Sequence, residues 1–147
     1  MNNHKQEWSD WLLLNKKIGH EGSAVYKIRL ITKGLKPFTL PRLFKKDPSG
    51  VVCIGQTTNM EHRRGQAYGA ISKGYGHSSM NLVFFLDKYC HFKKRFRGCQ
   101  FQFKFSGCKN KSDSEKQEEY LSRAYFKEFG EVPPLNSILP NREKNWD

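Results

Sequence analysis

The sequence predicts an α+β domain, and three patterns carry this prediction. Phe101, Phe103 and Phe105 alternate with polar residues, which is typical of a strand with one buried face. Residues 47–50 read Asp-Pro-Ser-Gly, the residue order of a type I turn, between two segments rich in β-formers. Residues 113–129 place Leu121, Ala124 and others at helical spacing.

The two earlier strands form the expected centre of the domain. The segment 23–31 alternates at Tyr26, Ile28 and Leu30, so we expect Lys27 and Arg29 to point to its other face. A connector over 32–46 leads to the turn, and a largely buried strand follows at 51–55. The short turn predicts antiparallel pairing of these two strands.

Helices are predicted before, between and after the strands. Residues 5–15 carry Trp8 and Trp11 at helical spacing, and predict an amphipathic N-terminal helix within 1–21 that packs on the core. Thr58-Asn59 can cap a helix entering residues 60–64, with glycines from Gly65 onward breaking up the next stretch. A further helix is expected from about Ser78 to Tyr89.

The last helix, 113–129, is expected to start at a capping box over 112–115 and to end at Gly130. Residues 141–147 are expected to be a tail. The length of 147 residues fits one domain.

Charge is unevenly distributed along the chain, whose formal net charge is +12. Residues 22–112 hold 18 basic and 3 acidic side chains, whereas residues 113–147 hold 5 basic and 8 acidic ones. A concentrated positive segment indicates a surface that faces a polyanion. The alternative is that these charges serve only to keep the protein soluble. No apolar run is long enough to span a bilayer, and no apolar stretch near the N-terminus is typical of a signal peptide, so we expect a cytoplasmic protein.

The four cysteines do not form a CxxC pair, which leaves a zinc ribbon unsupported. Cys90, His91, Cys99 and Cys108 could form an irregular metal site, but their spacing matches no known ligand pattern. We expect reduced thiols in the cytosol.

Hydrolysis of a phosphodiester requires a base, a cation that holds the phosphate and a carboxylate that holds a divalent metal. Arg63 and Arg64 form the densest basic pair on a predicted helix. Glu118 shares the inner face of the last helix with Leu121 and Tyr125, and could recruit Mg²⁺ together with DNA phosphate.

Six features in order resemble the GIY-YIG nuclease family over about residues 22–140. Ala24-Val25-Tyr26 stands for Gly-Ile-Tyr, and Cys53-Ile54-Gly55-Gln56-Thr57 for Tyr-Ile-Gly-Lys-Thr. The other matches are Arg63 at the family's arginine spacing, the stretch 73–79 containing His77, Glu118-Glu-Tyr-Leu, and the C-terminal segment ending in Asn136.

The resemblance implies a small three-stranded antiparallel sheet flanked by helices, and metal-dependent cleavage of double-stranded DNA. Tyr26 would position or activate water, Arg63 would clamp the phosphate, and His77 would assist. Glu118 would bind one Mg²⁺ or Mn²⁺, and Asn136 would brace the site or contact phosphate. The expected nucleic-acid contacts are the basic residues Lys27, Arg29, Arg64, Lys73, Lys93, Lys94 and Arg95.

Two departures from the family pattern bear on catalysis. Cys53 replaces the second tyrosine, and its thiol could deprotonate more easily than a phenol but reaches less far. Gln56 replaces a lysine and removes a charge. The alternatives are therefore a non-catalytic DNA-binding module that keeps the fold and basic face, and a toxin-like nuclease. A dimer is one route to double-strand cleavage.

Overall fold

The computed structural model describes residues 6–140, which form four strands and four helices, so the predicted α+β class is confirmed. The strands are β1 (Leu12–Leu13), β2 (Ala24–Ile31), β3 (Val51–Thr57) and β4 (Gln100–Gly107). The helices are α1 (Met60–Lys73), α2 (Asn81–Cys90), α3 (Phe92–Arg95) and α4 (Lys111–Phe129). The predicted tail at 141–147 lies outside the described residues.

The sheet has the order β1-β4-β2-β3, and each neighbouring pair is antiparallel. The predicted pairing of the two strands around residues 47–50 is confirmed, with Tyr26 opposite Gly55. In the connecting turn, the Asp47 carboxylate accepts a hydrogen bond from the Ser49 amide at 2.8 Å. The strand β2 is central, since β4 pairs along its other side and places Phe105 opposite Tyr26.

The prediction of three strands and an N-terminal helix over 5–15 is wrong. Leu12–Leu13 form an edge strand on β4, and residues 6–10 lie outside regular structure. The Ser9 amide donates to the Phe105 carbonyl at 2.8 Å, so the segment continues along β4. The tryptophan spacing that suits a helix here serves instead to place Trp8 and Trp11 over cationic side chains of the sheet.

Helix α1 begins where predicted, with the Asn59 side chain accepting from the His62 amide at 3.0 Å. It is longer than predicted, because it passes through Gly65 and Gly69 and ends only at Gly74. Each helical glycine costs about 1 kcal/mol relative to alanine. The buried face of the helix, which includes Ala67 and Ala70, outweighs this cost.

The last helix also begins differently from the prediction. Asn110, not the Ser112 capping box, is its N-cap, and its side chain accepts from the Asp113 amide at 2.9 Å. The Asp113 carboxylate accepts in return from the Lys109 amide. The predicted end at Gly130 is confirmed, with φ of 75° in the left-handed region. The short helix α3 was not predicted.

The two faces of the sheet bury separate clusters. Tyr26, Ile28 and Phe103 pack with residues of α1 and α2 on one face. Val51 and Ile54 pack with Tyr125 and Phe129 of α4 in the second cluster. Among residues 6–140, no helix is both long and apolar enough to cross a membrane.

Candidate active site

A cavity of about 460 Å³ opens where the strands β2 and β3 meet α1, α4 and the loop after α1. All five residues predicted to be catalytic line it. They come from five separate parts of the chain: Tyr26, Arg63, His77, Glu118 and Asn136. The fold therefore brings together side chains up to 110 positions apart in the sequence.

Tyr26 is held rigidly at the floor of this cavity, where its side chain is 2% exposed. Its ring lies directly over Gly55, and a Cβ at that position would overlap the ring. Two donors point at its hydroxyl oxygen: Nε2 of His77 at 2.8 Å and Nε of Arg63 at 3.3 Å. Because that oxygen accepts two hydrogen bonds, its own proton is directed elsewhere.

The tautomer of His77 follows from its second ring nitrogen. Nδ1 accepts hydrogen bonds from the backbone amides of Ser79 and Met80, at 3.2 and 3.1 Å, and so carries no proton. Burial, and then the charge of Arg63, lower the pKa of His77 to about 3. The imidazole is therefore neutral near pH 7, and its Nε2 is the donor to Tyr26.

The phenol of Tyr26 is also neutral. Burial raises its pKa well above the ordinary value, and the neighbouring Cys53 adds to the effect. Arg63 opposes this increase through its charge and its hydrogen bond, but burial is the larger cause. The Tyr26 hydroxyl is therefore a proton donor in the resting site.

Besides its contact with Tyr26, Arg63 makes two further hydrogen bonds. Its NH1 nitrogen donates to the side-chain oxygen of Gln66 at 3.2 Å and to the carbonyl of Gly76 at 3.4 Å. Gln66 was missed in the sequence analysis, although a position three residues after Arg63 on the same helix is a neighbour by geometry. These contacts hold a positive charge at the wall of the cavity.

Glu118 is half-buried on α4 and lines the same cavity as Arg63 and His77. Its negative charge adds slightly to the raised pKa values of Tyr26 and Cys53, which line the same cavity. The neighbouring Glu119 is different, since it is buried in an ion pair with Arg123 at 2.6 Å. Glu118 is the carboxylate that faces the cavity among the described residues.

One carboxylate, that of Glu118, lines the cavity among the described residues. Within residues 6–140, no group of three or more His, Cys, Asp or Glu side chains could hold a metal ion together. Mg²⁺ commonly uses one or two carboxylates and completes its shell with water and substrate phosphate. Glu118 can supply such a carboxylate.

Cys53 and Gln56, which depart from the family pattern, have structural contacts. Burial raises the pKa of the Cys53 thiol to about 12, against a smaller opposing effect from its hydrogen bond with Ser79. The Cys53 thiol, like the Tyr26 phenol, is therefore protonated near pH 7. The side-chain oxygen of Gln56 accepts from the Ser114 hydroxyl at 3.0 Å and ties β3 to the start of α4.

Asn136 binds the backbone of β3 in two places. Its Oδ1 accepts from the Ile54 amide at 3.0 Å, and its Nδ2 donates to the Ile54 carbonyl at 3.1 Å. The amide of the preceding Leu135 donates to the Val52 carbonyl. This geometry matches the bracing role considered for Asn136.

The seven predicted nucleic-acid contacts do not line this cavity. Arg64 is 6% exposed, and it is committed to an ion pair with Glu61 at 2.8 Å and a hydrogen bond to the Leu14 carbonyl at 2.8 Å. Successive helical residues diverge by about 100°, so Arg63 and Arg64 cannot share a face. The exposed members of the set lie at the end of α1 and on α3: Lys73, Lys93, Lys94 and Arg95.

Lys27 and Arg29 lie on the sheet face opposite Tyr26, as expected, where they line a second cavity. Ser79 was not singled out as a site residue, yet its buried backbone and side chain contact His77 and Cys53.

Comparison with models of known protein families, with curated proteins and with solved structures found no match.

Proposed function

We propose that this chain is a metal-dependent endonuclease that hydrolyses DNA phosphodiester bonds in the manner of the GIY-YIG family. One observation carries the proposal: Arg63 and His77 both donate to the hydroxyl of Tyr26, in a cavity that Glu118 also lines. A fixed cation can hold the phosphate, a carboxylate can hold the metal, and a phenol can position the attacking water. The family assignment rests on the order and spacing of the sequence motifs.

In this proposal, Tyr26 positions the attacking water. Its oxygen already accepts from His77 and Arg63, so its O–H is left to donate to a water or phosphate oxygen in the cavity. The neutral His77 holds the phenol in place and is a poor base, because its Nδ1 already accepts from two amides and burial lowers its pKa to about 3. The proton lost by the attacking water would pass to a phosphate oxygen or to solvent. The absence of a side chain at Gly55 leaves the room that the Tyr26 ring and hydroxyl occupy.

Arg63 would clamp the scissile phosphate and stabilise the charge that builds on its oxygens. Glu118 would hold Mg²⁺ or Mn²⁺, which when bound would supply a Lewis acid for the phosphate and the leaving oxygen. Asn136 would act at one remove, by holding Ile54 and the adjacent β3 backbone that forms the cavity wall.

The test is cleavage of supercoiled plasmid with Mg²⁺ or Mn²⁺, with EDTA as the metal-free control. We expect nicking or linearisation that EDTA stops. Glu118→Ala and Arg63→Ala should abolish cleavage and leave the fold intact, while Glu128→Ala, on the same helix but paired with Lys45, should cut normally. Cleavage at the wild-type rate by either site variant would refute the assigned roles.

A non-catalytic DNA-binding module is the second candidate, favoured by the buried neutral Cys53 where the family has a second tyrosine. Duplex binding without cleavage under any divalent metal would establish this alternative. In both cases the proposed partner is double-stranded DNA, and affinity should fall steeply between about 50 and 200 mM salt. A cytoplasmic setting is part of the proposal, in keeping with four free thiols.

A single active site of this kind would cut one DNA strand at a time. If the chain makes double-strand breaks, we propose that it does so by dimerising or by acting twice on the same site. Glu118→Ala should retain DNA binding, because removal of a negative charge does not weaken the attraction for phosphate. Loss of binding in this variant would point to misfolding or to a different site.

A further inference from the structure

Three cations lie together on the face of the sheet opposite the candidate active site. Lys27 of β2 and Lys104 of β4 are direct cross-strand partners in the register. Arg29 follows two positions after Lys27 and so shares its face. Like charges directly opposite each other destabilise a sheet by some tenths of a kcal/mol to about 1 kcal/mol. The fold therefore keeps these charges close together although their repulsion lowers its stability.

Two indole rings lie between the three cations. The Lys104 ammonium is 5.0 Å from the centroid of Trp8 and 4.9 Å from that of Trp11. Lys27 is 5.3 Å from Trp8, and the Arg29 guanidinium is 4.1 Å from Trp11. An indole face attracts a cation by about 0.5–1 kcal/mol at exposed sites but carries no net negative charge. The indoles order the cations without neutralising them.

The nearby carboxylates are already engaged with other groups. Among the ion pairs of the described residues, none includes Lys27, Arg29 or Lys104. Asp47 is fully buried and accepts from Ser49 and from the Tyr125 hydroxyl, at 2.8 and 2.7 Å.

The crowding of like charges adds to burial in lowering the pKa of both lysines. Burial, and then the charge of Lys104, lower the pKa of Lys27, with Asp47 opposing more weakly. Burial, and then the charge of Arg29, lower the pKa of Lys104. Glu128, which lines the same cavity, is paired with Lys45. An anion would relieve the repulsion that the protein's own carboxylates leave in place.

An open cavity of about 430 Å³ lies against this cluster and is lined by all three cations together with Trp11. We propose that Lys27, Arg29 and Lys104 form a phosphate-binding site on this face, filled by a backbone phosphate of a nucleic acid. The site is separate from the candidate active site, because the sheet lies between them. It goes beyond the proposed endonuclease activity and does not require that the chain cleave DNA.

The experiment measures duplex DNA affinity against salt concentration, in EDTA so that the DNA stays intact. The test variant is Lys27→Gln/Lys104→Gln, and Lys104→Gln alone serves if the double variant does not fold. The matched control is Lys116→Gln, which removes an exposed lysine from α4. We expect the slope of log affinity against log salt to become shallower by about 1 for the lost phosphate contact.

A second arm uses inorganic phosphate and follows tryptophan fluorescence, since Trp8 and Trp11 flank the cations. A response to phosphate that the lysine variant abolishes, together with the shallower salt slope, supports the proposal. A phosphate response with an unchanged slope would overturn the nucleic-acid assignment in favour of a free phosphate ion. An unchanged salt slope and no phosphate response would overturn the site. The cluster would then serve only to hold the N-terminal segment against the sheet.

These outcomes are independent of the plasmid assay. A chain that binds DNA with the expected change in slope but never cleaves it would refute the endonuclease proposal and support this site. If the chain cleaves DNA and the lysine variant has an unaltered salt slope, the endonuclease proposal is supported and this site is overturned.

Discussion

Nε2 of His77 lies 2.8 Å from the hydroxyl oxygen of Tyr26, and the other nitrogen of the ring accepts from two backbone amides. This relationship fixes both the tautomer of the histidine and the orientation of the phenol. The backbone after His77 therefore sets the geometry of a side chain 51 positions earlier. Four testable consequences follow from this site and its surroundings.

Removal of the Tyr26 hydroxyl should impair cleavage and leave the fold intact. A group that positions or transfers a proton contributes roughly 100-fold or more to rate, so we expect Tyr26→Phe to lower kcat by about that factor. Tyr125→Phe is the matched control, since its hydroxyl donates to the buried Asp47 at 2.7 Å on the other sheet face. It should lose about 1–3 kcal/mol of stability and keep full activity. Equal activity of both variants would exclude Tyr26 from the chemistry.

The buried neutral His77 should make the fold sensitive to mild acid. Its folded-state pKa of about 3 lies below the unfolded value of 6.5, so below pH 6.5 the unfolded chain binds a proton that the folded chain does not. Stability should thus fall as pH falls, by about 2 kcal/mol between pH 7 and pH 5 from this residue. Urea denaturation can compare the wild type with His77→Asn, whose side-chain oxygen can still accept from the two amides. Matching pH slopes would show that His77 binds its proton equally well in the folded and unfolded chains.

Gly55 should be irreplaceable because of the ring above it. A Cβ at this position would overlap the Tyr26 ring, so Gly55→Ala should cost about 1–3 kcal/mol and displace the hydroxyl from His77. The control is Gly65→Ala in α1, where a Cβ meets nothing within 4 Å. That change should stabilise the helix by about 1 kcal/mol without affecting cleavage. Thermal unfolding and plasmid cleavage measure both effects, and full activity of Gly55→Ala would contradict the fixed position of Tyr26.

Arg64 should affect stability and not DNA affinity. Its guanidinium donates to Glu61 and to the Leu14 carbonyl, so Arg64→Gln should lower the free energy of unfolding by about 2 kcal/mol. Duplex affinity, measured by fluorescence anisotropy under conditions where the variant is folded, should stay close to wild type. Weaker binding with unchanged stability would restore Arg64 as a phosphate contact.

The central sheet could be predicted from sequence because its signals are local. The alternation at Tyr26, Ile28 and Leu30, and the turn residues at 47–50, specify strands and their pairing within a short span. The cap at Asn59 and the stop at Gly130 are local signals as well. The five cavity residues were predicted by resemblance to a family motif, which carries information on tertiary contacts that composition and periodicity lack.

The rest depended on contacts between distant parts of the chain. The spacing of Trp8 and Trp11 suits a helix, but their contacts with Lys27, Arg29 and Lys104 and the backbone pairing with β4 favour an extended segment. Periodicity also shows that Arg63 and Arg64 diverge but not which of them faces the cavity. That choice depends on how α1 lies on the sheet.

The contact between Asn136 and Ile54 has a consequence for aggregation. The strand β3 is at one border of the sheet, where unpaired backbone groups could recruit a strand from another molecule. Leu135 and Asn136 occupy that border, with three hydrogen bonds to Val52 and Ile54. At the opposite border, Leu12–Leu13 pair with Gln102 and Phe103 of β4. Two short chain segments thus leave less of each border open to intermolecular strand pairing, and the one at Asn136 also supports the wall of the cavity.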